Sequence, residues 1–336
     1  MHIEKDYSLQ AITTFHLPAK CKYFVEYNTI AELKEFINSE LAKKETLFQI
    51  GGGSNLLFTK DFDGIILHSC IKFINIISED NDGVIVEAGA GIEWDEFVKY
   101  CVSNSFSGVE NLSYIPGEVG ASAIQNIGSY GAEVKDVIYC IHTVEKETGM
   151  ERIFMNDECD YGYRDSIFKK ELKDKYIVTS VEYKLSKKPS YILDYGPLKK
   201  LLESQENITL QKIRETIIMV RTSKLPDPKE IGSVGSFFKN PVISIEEFKT
   251  LQTKYPDIAH YIVDEGHIKV PAGWLIEHAG LKGYRIGQAG VYEKQCLVIV
   301  NWGGASSNDI IALYQYVIST VKKLYNIELH PEANII

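Results

Sequence analysis

From Thr29 onward, apolar residues at Leu33, Phe36, Ile37 and Leu41 recur three or four positions apart, the spacing of one helical face. Thr29 and Glu32 occupy the two positions of a capping box, so the pattern predicts a helix opening there. Thr46–Ile50 then reads as a buried strand running into Gly51-Gly52-Gly53-Ser54-Asn55, and residues 1–60 as a small α/β unit. From about residue 64 to 187 the period shortens. Gly64–His68, Phe73–Ile77 and Val84–Ala88 are β-prone runs, with Asp82-Gly83 as a hairpin turn. One helix interrupts, Trp94–Val102, with Phe97, Val98 and Cys101 as its inner stripe, before further strands at Val137–Val144 and Tyr176–Leu185. Lys187–Ile208 is polar and reads as an insertion or crossover.

The last third alternates helix and strand. Ser244 and Glu247 predict a capped helix with Ile243 and Phe248 as its staple. Ser306 precedes a helix whose expected core face is Ile310, Leu313, Val317, Val321 and Leu324. With no repeat or low-complexity tract, the pattern predicts three α+β lobes.

Composition narrows the function classes. A chain of 336 residues with 45% hydrophobic and 24% charged positions has the make-up of a soluble globular protein. A formal net charge of −10 argues against nucleic acid as partner, while a local Lys/Arg cluster still permits anionic small ligands. Met1–Gln10 lacks the apolar core of a secretory signal, and no apolar run reaches the ~20 residues needed to cross a bilayer. Cys21, Cys70, Cys101, Cys140, Cys159 and Cys296 are scattered without a CxxC pair, which suits buried thiols in a reducing cytoplasm.

Two glycine-rich segments carry candidate chemistry. Gly51–Asn55 offers successive backbone N–H groups, unobstructed by Cβ, to a phosphate. It lacks the lysine of a Walker A loop and the spacing of a dinucleotide fingerprint, and alone it would read as a tight turn. Pro116–Ala132 is dense in glycine, alanine and serine, as backbone lying against a large flat ligand would be. A packed small-residue helix between turns explains that composition equally well.

Ile50–Leu57, Ile115–Ala121 and Asn126–Gly131 together resemble the UDP-N-acetylenolpyruvoylglucosamine reductase family, and the similarity runs from Thr14 to Glu332. The resemblance implies an α+β, two-subdomain FAD-binding fold of the vanillyl-alcohol oxidase type plus a third α+β substrate-binding domain. Residues 1–62 with the tail 327–336 would form the first subdomain, 63–210 the second and 211–326 the substrate domain. It implies FAD and NADPH as cofactors. Gly52, Gly53, Ser54 and Asn55 would hold the FAD pyrophosphate, and Gly117, Gly120, Ser122, Ile124 and Gly128 would line the rest of the cofactor.

Saturating an enolpyruvyl ether requires a hydride at the terminal carbon, a cation for the charge developing on the carboxylate, and a proton for the neighbouring carbon. FAD supplies the hydride, leaving the cation and the acid to the protein. Gly232–Pro241 is the most specific string, and by resemblance its Ser236 is the proton donor. A small residue between Gly235 and two aromatics suits a dry, close-packed place, with Lys239 and Asn240 near in sequence. A lone serine in such a string is otherwise a turn residue. Arg164, in Tyr161–Ser166, matches the catalytic arginine, whose planar fork suits a carboxylate. Its alternative is a surface pair with Asp165. Glu332, in Leu329–Ile336, matches the catalytic glutamate, although the family usually carries Arg where Asn334 stands.

For the UDP diphosphate the resemblance implies Lys224, with Arg221 beside it ahead of a proline-fixed turn. Tyr195, in Asp194-Tyr195-Gly196, matches the tyrosine of a closing loop carried by the type I subgroup, and Gln295 and Asn240 are hydrogen-bond candidates for sugar or phosphate. Trp274 and Tyr284 read as core or wall aromatics. His278 has no third ligand at metal-binding spacing, so no metal is expected. The expectation is thus a cytoplasmic, monomeric reductase producing UDP-N-acetylmuramate for peptidoglycan, with a UDP-sugar as partner and neither nucleic acid nor membrane. A flavin oxidase of the same superfamily is the alternative; Gly235–Asn240 and Tyr195 argue against it. A silent binding protein is disfavoured by the presence of Arg164, Ser236 and Glu332 together.

Overall fold

A computed structural model describes residues 1–203 and 207–336. The polar stretch that opens at Lys187 includes the three residues outside that description. The backbone groups into two compact units: Met1–Tyr7, Cys21–Gly53 and Asp63–Ser223 in the first, and Ser8–Lys20, Ser54–Phe62 and Lys224–Ile336 in the second.

The first unit contains two sheets. One is four-stranded, in the order His2–Ser8, Lys20–Tyr27, Phe62–Ser69, Leu47–Ile50, and its last pair is parallel. Helix Ile30–Ile37 buries Leu33, Phe36 and Ile37 in a core with Val25, Tyr27, Ile65 and Leu67. Its cap is half of the expected box: the Thr29 hydroxyl accepts from Glu32 N at 3.1 Å, but the Glu32 carboxylate takes the N–H of Asn28. Leu41 falls in a separate short helix, Glu40–Lys44, capped by Ser39.

The other sheet is antiparallel throughout, in the order Glu151–Met155, Ile138–Glu145, Tyr176–Ser186, Gly83–Gly89, Ile74–Glu79. At its hairpin the Asp80 carboxylate accepts from both Asp82 N and Gly83 N at 2.8 Å, an Asx turn that sets the bend. Helices Trp94–Ser103 and Val119–Gln125 share one core with this sheet, built on Trp94, Phe97, Val181 and Tyr183. The side chain of buried Asn111 pins the polar loop, donating to Tyr130 O and Ile192 O, both at 2.8 Å. Helix Leu210–Lys224 has no counterpart in the sequence reading, because its inner face is not purely apolar. Arg214 points inward with Leu210, Ile213, Ile217 and Val220, and its guanidinium meets Asp95.

In the second unit, Gly232–Ser236, Val298–Asn301, Ala289–Val291 and Arg285–Ile286 form one antiparallel sheet, and Val242–Ser244, His267–Lys269 and Tyr261–Ile262 another. Ser8–Lys20 belongs here: Ser233 N donates to Thr14 O at 2.8 Å, and the Asn301 side chain to Phe15 O at 3.0 Å. The predicted cap of Ser244 with Glu247 forms, Ser306 caps its helix with Asp309 as well, and Ile243 and Phe248 both join the core. In helix Ser307–Tyr325 one expected core residue is misplaced. Leu324 is 48% exposed, and Tyr325 is buried instead. Four residues after Val321 the helical turn brings Tyr325, not Leu324, onto the inner stripe, against Tyr255 and Trp274. Tyr284 also departs from a core role, lying exposed and stacked on Tyr316.

All six cysteines are free thiols and five are buried. Among the described residues no helix is long and apolar enough to cross a membrane.

Candidate functional site

In the first unit, strand Leu47–Ile50 delivers Gly51–Gly53 against Pro116–Gly120. Gly53 turns the chain at φ +61°, its N–H donating to Gly51 O at 2.7 Å. A Cβ on Gly52 would sit 3.4 Å from the Cα of Gly117, and one on Gly51 3.2 Å from the Cβ of Ala121. The two segments therefore meet backbone to backbone, a cradle that side chains would fill. Such bare, donor-rich backbone fits a flat anionic cofactor.

The other expected cofactor residues fall into two groups. Gly120 packs on Ala90, where its Cβ would lie 2.9 Å from that of Ala90. Buried Ser122 donates to Val119 O at 2.7 Å and lies 3.3 Å from the Tyr183 hydroxyl, and Ile124 O accepts from Ser166 at 2.6 Å. These three hold the helix in place. Gly128 instead joins a cationic cluster. Arg164, itself at φ +55°, donates to Gly128 O at 2.5 Å and Asn126 O at 3.4 Å. Arg221, on the last turn of its helix, donates to Tyr114 O at 3.1 Å and Ser129 Oγ at 3.4 Å. Burial draws the Arg221 pKa down, as does the Arg164 charge, against the opposing pull of Tyr130, Asp95 and Tyr114. Asp165 pairs with Lys170 at 3.1 Å. Tyr195 packs beside the same segment: a Cβ on Gly131 would lie 3.4 Å from that of Tyr195. Sequence reasoning passed over Ser129 and Tyr130, whose only signal was their place between Gly128 and Gly131.

In the second unit the chain bulges between Ser233 and Ser236, where Gly235 takes φ +70°. Phe237 and Phe238 are fully buried, and Ser236, just before them, is exposed. The bulge re-aims one side chain outward while its neighbours anchor the strand. Beside it runs the C-terminal segment: Glu332 N donates to Phe237 O at 2.7 Å, and Lys239 N to His330 O at 2.9 Å. Asn55 ties in as well, its side chain donating to Glu332 O at 3.2 Å and its carbonyl accepting from Asn334 N at 3.0 Å. Main-chain bonds thus hold Glu332 whatever side chain position 334 carries. Ser54 lies half-buried in this unit and Lys224 is exposed. Asn240 and Gln295 have local partners, Asn240 Oδ1 accepting from Ala272 N at 2.9 Å and Gln295 Oε1 from Leu297 N at 3.4 Å.

Among the described residues two groups bring metal-ligand atoms within 4.8 Å, Glu26 with His68 and Cys70, and Cys140 with His142 and Glu182. Each contains a direct histidine–carboxylate hydrogen bond, His68 with Glu26 at 3.1 Å and His142 with Glu182 at 2.9 Å. His278 stacks on Trp274, and its Nδ1 lies 2.9 Å from Trp274 O.

The family model described as UDP-N-acetylenolpyruvoylglucosamine reductase, C-terminal domain, matches residues 227–336, and an FAD binding domain model matches residues 21–150. Proteins named UDP-N-acetylenolpyruvoylglucosamine reductase from Bacteroides fragilis and Porphyromonas gingivalis are each 47% identical, over 99% and 100% of this chain and 100% of theirs. One from Pseudomonas putida is 38% identical over 99% of this chain and 98% of its own. The crystal structure of the Thermus caldophilus UDP-N-acetylenolpyruvylglucosamine reductase superposes with a TM-score of 0.69, covering 100% of this chain and 99% of that one at 23% identity, and so shares its fold.

Proposed function

The chain belongs to the UDP-N-acetylenolpyruvoylglucosamine reductase family, FAD-dependent oxidoreductases of peptidoglycan precursor synthesis, and from that membership we propose how its own residues divide the work. The substrate is UDP-N-acetylglucosamine enolpyruvate and the product UDP-N-acetylmuramate. Bound FAD supplies the hydride for the terminal carbon of the enolpyruvyl group, with NADPH as the reductant.

Gly52, Gly53, Ser54 and Asn55 hold the pyrophosphate of FAD, and Gly117 and Gly128 let its flat parts approach the backbone. Gly120, Ser122 and Ile124 keep that backbone in position. Arg164 takes the substrate carboxylate and stabilises the charge that develops on it. Glu332 steadies the resulting enolate geometry through its hydrogen bonds, and Ser236 gives its hydroxyl proton to the carbon next to the ether oxygen. Arg221 and Lys224 bind the diphosphate, Tyr195 closes over it, and Asn240 and Gln295 border the sugar. The protein acts as a cytoplasmic monomer. Two FAD-binding subdomains, 1–62 with 327–336 and 63–210, beside a substrate domain of 211–326, remain the proposed division, although the backbone groups Ser8–Lys20, Ser54–Phe62 and the tail with the second unit and residues 211–223 with the first.

The bond from Glu332 N to Phe237 O carries this reading furthest, because it brings two strings distant in sequence to the flank of Ser236. The test is anaerobic stopped-flow of NADPH-reduced protein mixed with the enolpyruvyl substrate. Rapid return of oxidised-flavin absorbance supports the proposal. Indifference to that substrate, with ready reaction with oxygen, would point to an oxidase instead.

A further inference from the structure

Glu118 belongs to the second glycine segment of the cradle and is 8% exposed. One of its oxygens is engaged, Oε1 lying 2.9 Å from His68 Nε2. The other ring nitrogen of His68 lies 3.1 Å from Glu26 Oε1, so the imidazole bridges two carboxylates. Burial pulls the His68 pKa down, but Glu118 and Glu26 outweigh it and leave the pKa above the ordinary value. The ring thereby holds the Glu118 side chain in one orientation.

The second oxygen, Oε2, is buried without any hydrogen-bond partner. It faces the start of the cradle, 3.4 Å from where a Cβ on Gly51 would sit. A buried carboxylate oxygen left without a donor is unfavourable, so its place beside the cofactor loops calls for one. The FAD diphosphate is not that donor, since its oxygens only accept and its charge repels. The rest of the dinucleotide carries donors in its sugar and ribityl hydroxyls and its ring N–H groups.

We propose that Glu118 Oε2 accepts a hydrogen bond from a hydroxyl or ring N–H of FAD, and that Glu26 and His68 are positioning residues for that carboxylate. This rests on the cradle being the FAD site. Glu118 then acts on cofactor retention and orientation.

The experiment follows FAD release from the purified yellow protein by the rise of free-flavin fluorescence. Wild type, Glu118→Ala and Glu118→Gln are each loaded with FAD or with FAD analogues lacking a single ribose or ribityl hydroxyl, or methylated at the flavin ring N–H. Glu118→Ala should retain FAD about 10- to 100-fold less tightly, the range of a lost hydrogen bond to a charged group, and Glu118→Gln less severely. One analogue should weaken wild type by a similar factor and leave Glu118→Ala no worse, which identifies the donor and which a purely structural role would not produce. If every analogue weakens wild type and both variants equally, the proposal is overturned. If Glu118→Ala fails to fold, the same comparison is read from Glu118→Gln. A wild-type protein that binds no FAD would instead sink the cofactor reading itself.

Discussion

Arg164 and Arg221 grip one two-residue strand from separate parts of the chain, the first through Gly128 O at 2.5 Å and the second through Ser129 Oγ at 3.4 Å. Two guanidiniums brought together raise each other's electrostatic energy, and an arriving anion relieves it. A carboxylate and a diphosphate on one substrate are the anions such a pair suits.

Arg164→Lys keeps the charge but loses the fork. It should lower kcat by about 100-fold, the scale of one lost preorganised donor to a developing anion, with FAD still bound. Steady-state turnover of the enolpyruvyl substrate checks this, and unchanged kcat would show that the fork is not used.

Arg221→Ala should act differently, raising KM for the UDP-sugar about 10- to 100-fold while kcat falls little, because the diphosphate is bound alike before and during reaction. A matching fall in kcat without a change in KM would contradict a binding role.

Ser236→Ala removes the hydroxyl we propose as the acid and keeps the bulge that Gly235 makes at φ +70°. Flavin content should stay at the wild-type level, while reoxidation of the reduced protein by substrate slows by about 100- to 10,000-fold. Rapid-mixing absorbance reads both in one sample.

Asp95 and Arg214 form a bidentate pair at 2.6 and 2.7 Å, and Asp95 also accepts from Tyr114 N. Burial raises the Asp95 pKa, but the bonds from Arg214 and Tyr114 more than reverse this and set it below the ordinary carboxylate value. A depressed folded value means stability fully present above the unfolded pKa of about 4 and lost as pH falls through the folded one. Asp95→Asn should cost about 2 kcal/mol at neutral pH, below the ~3–5 of a fully buried broken pair, and flatten the acid limb of a denaturation series. An acid limb as steep as wild type would exclude Asp95 as its source.

Local regularities were legible wherever one residue's neighbours in sequence are also its neighbours in space. The capped helix at Ser244, the helix after Ser306 and the hairpin at Asp82-Gly83 are of this kind. Helix Leu210–Lys224 escaped because a buried charge, Arg214, interrupts the stripe that periodicity detects. Leu324 was misplaced because the inner face of its helix follows the turn to Tyr325. The bulge that turns Ser236 outward, just before two buried rings, left no periodic mark in the sequence.

The amino-acid sequence alone determined the residue types of the site and its family, since glycine-rich loops, Arg164, Ser236 and Glu332 are matters of identity and order along the chain. Tertiary structure decided which of them are neighbours. Hydrogen bonds from Asn55 and Asn334 and the pairing of Glu332 with Phe237 set the C-terminal segment beside Ser236. Buried Asn111 brings the Tyr195 loop to Gly131. His68 presents Glu118 to Gly51. Such contacts join segments far apart in sequence, where backbone and side-chain donors must find partners once water is removed, and no periodicity along a single segment records that requirement.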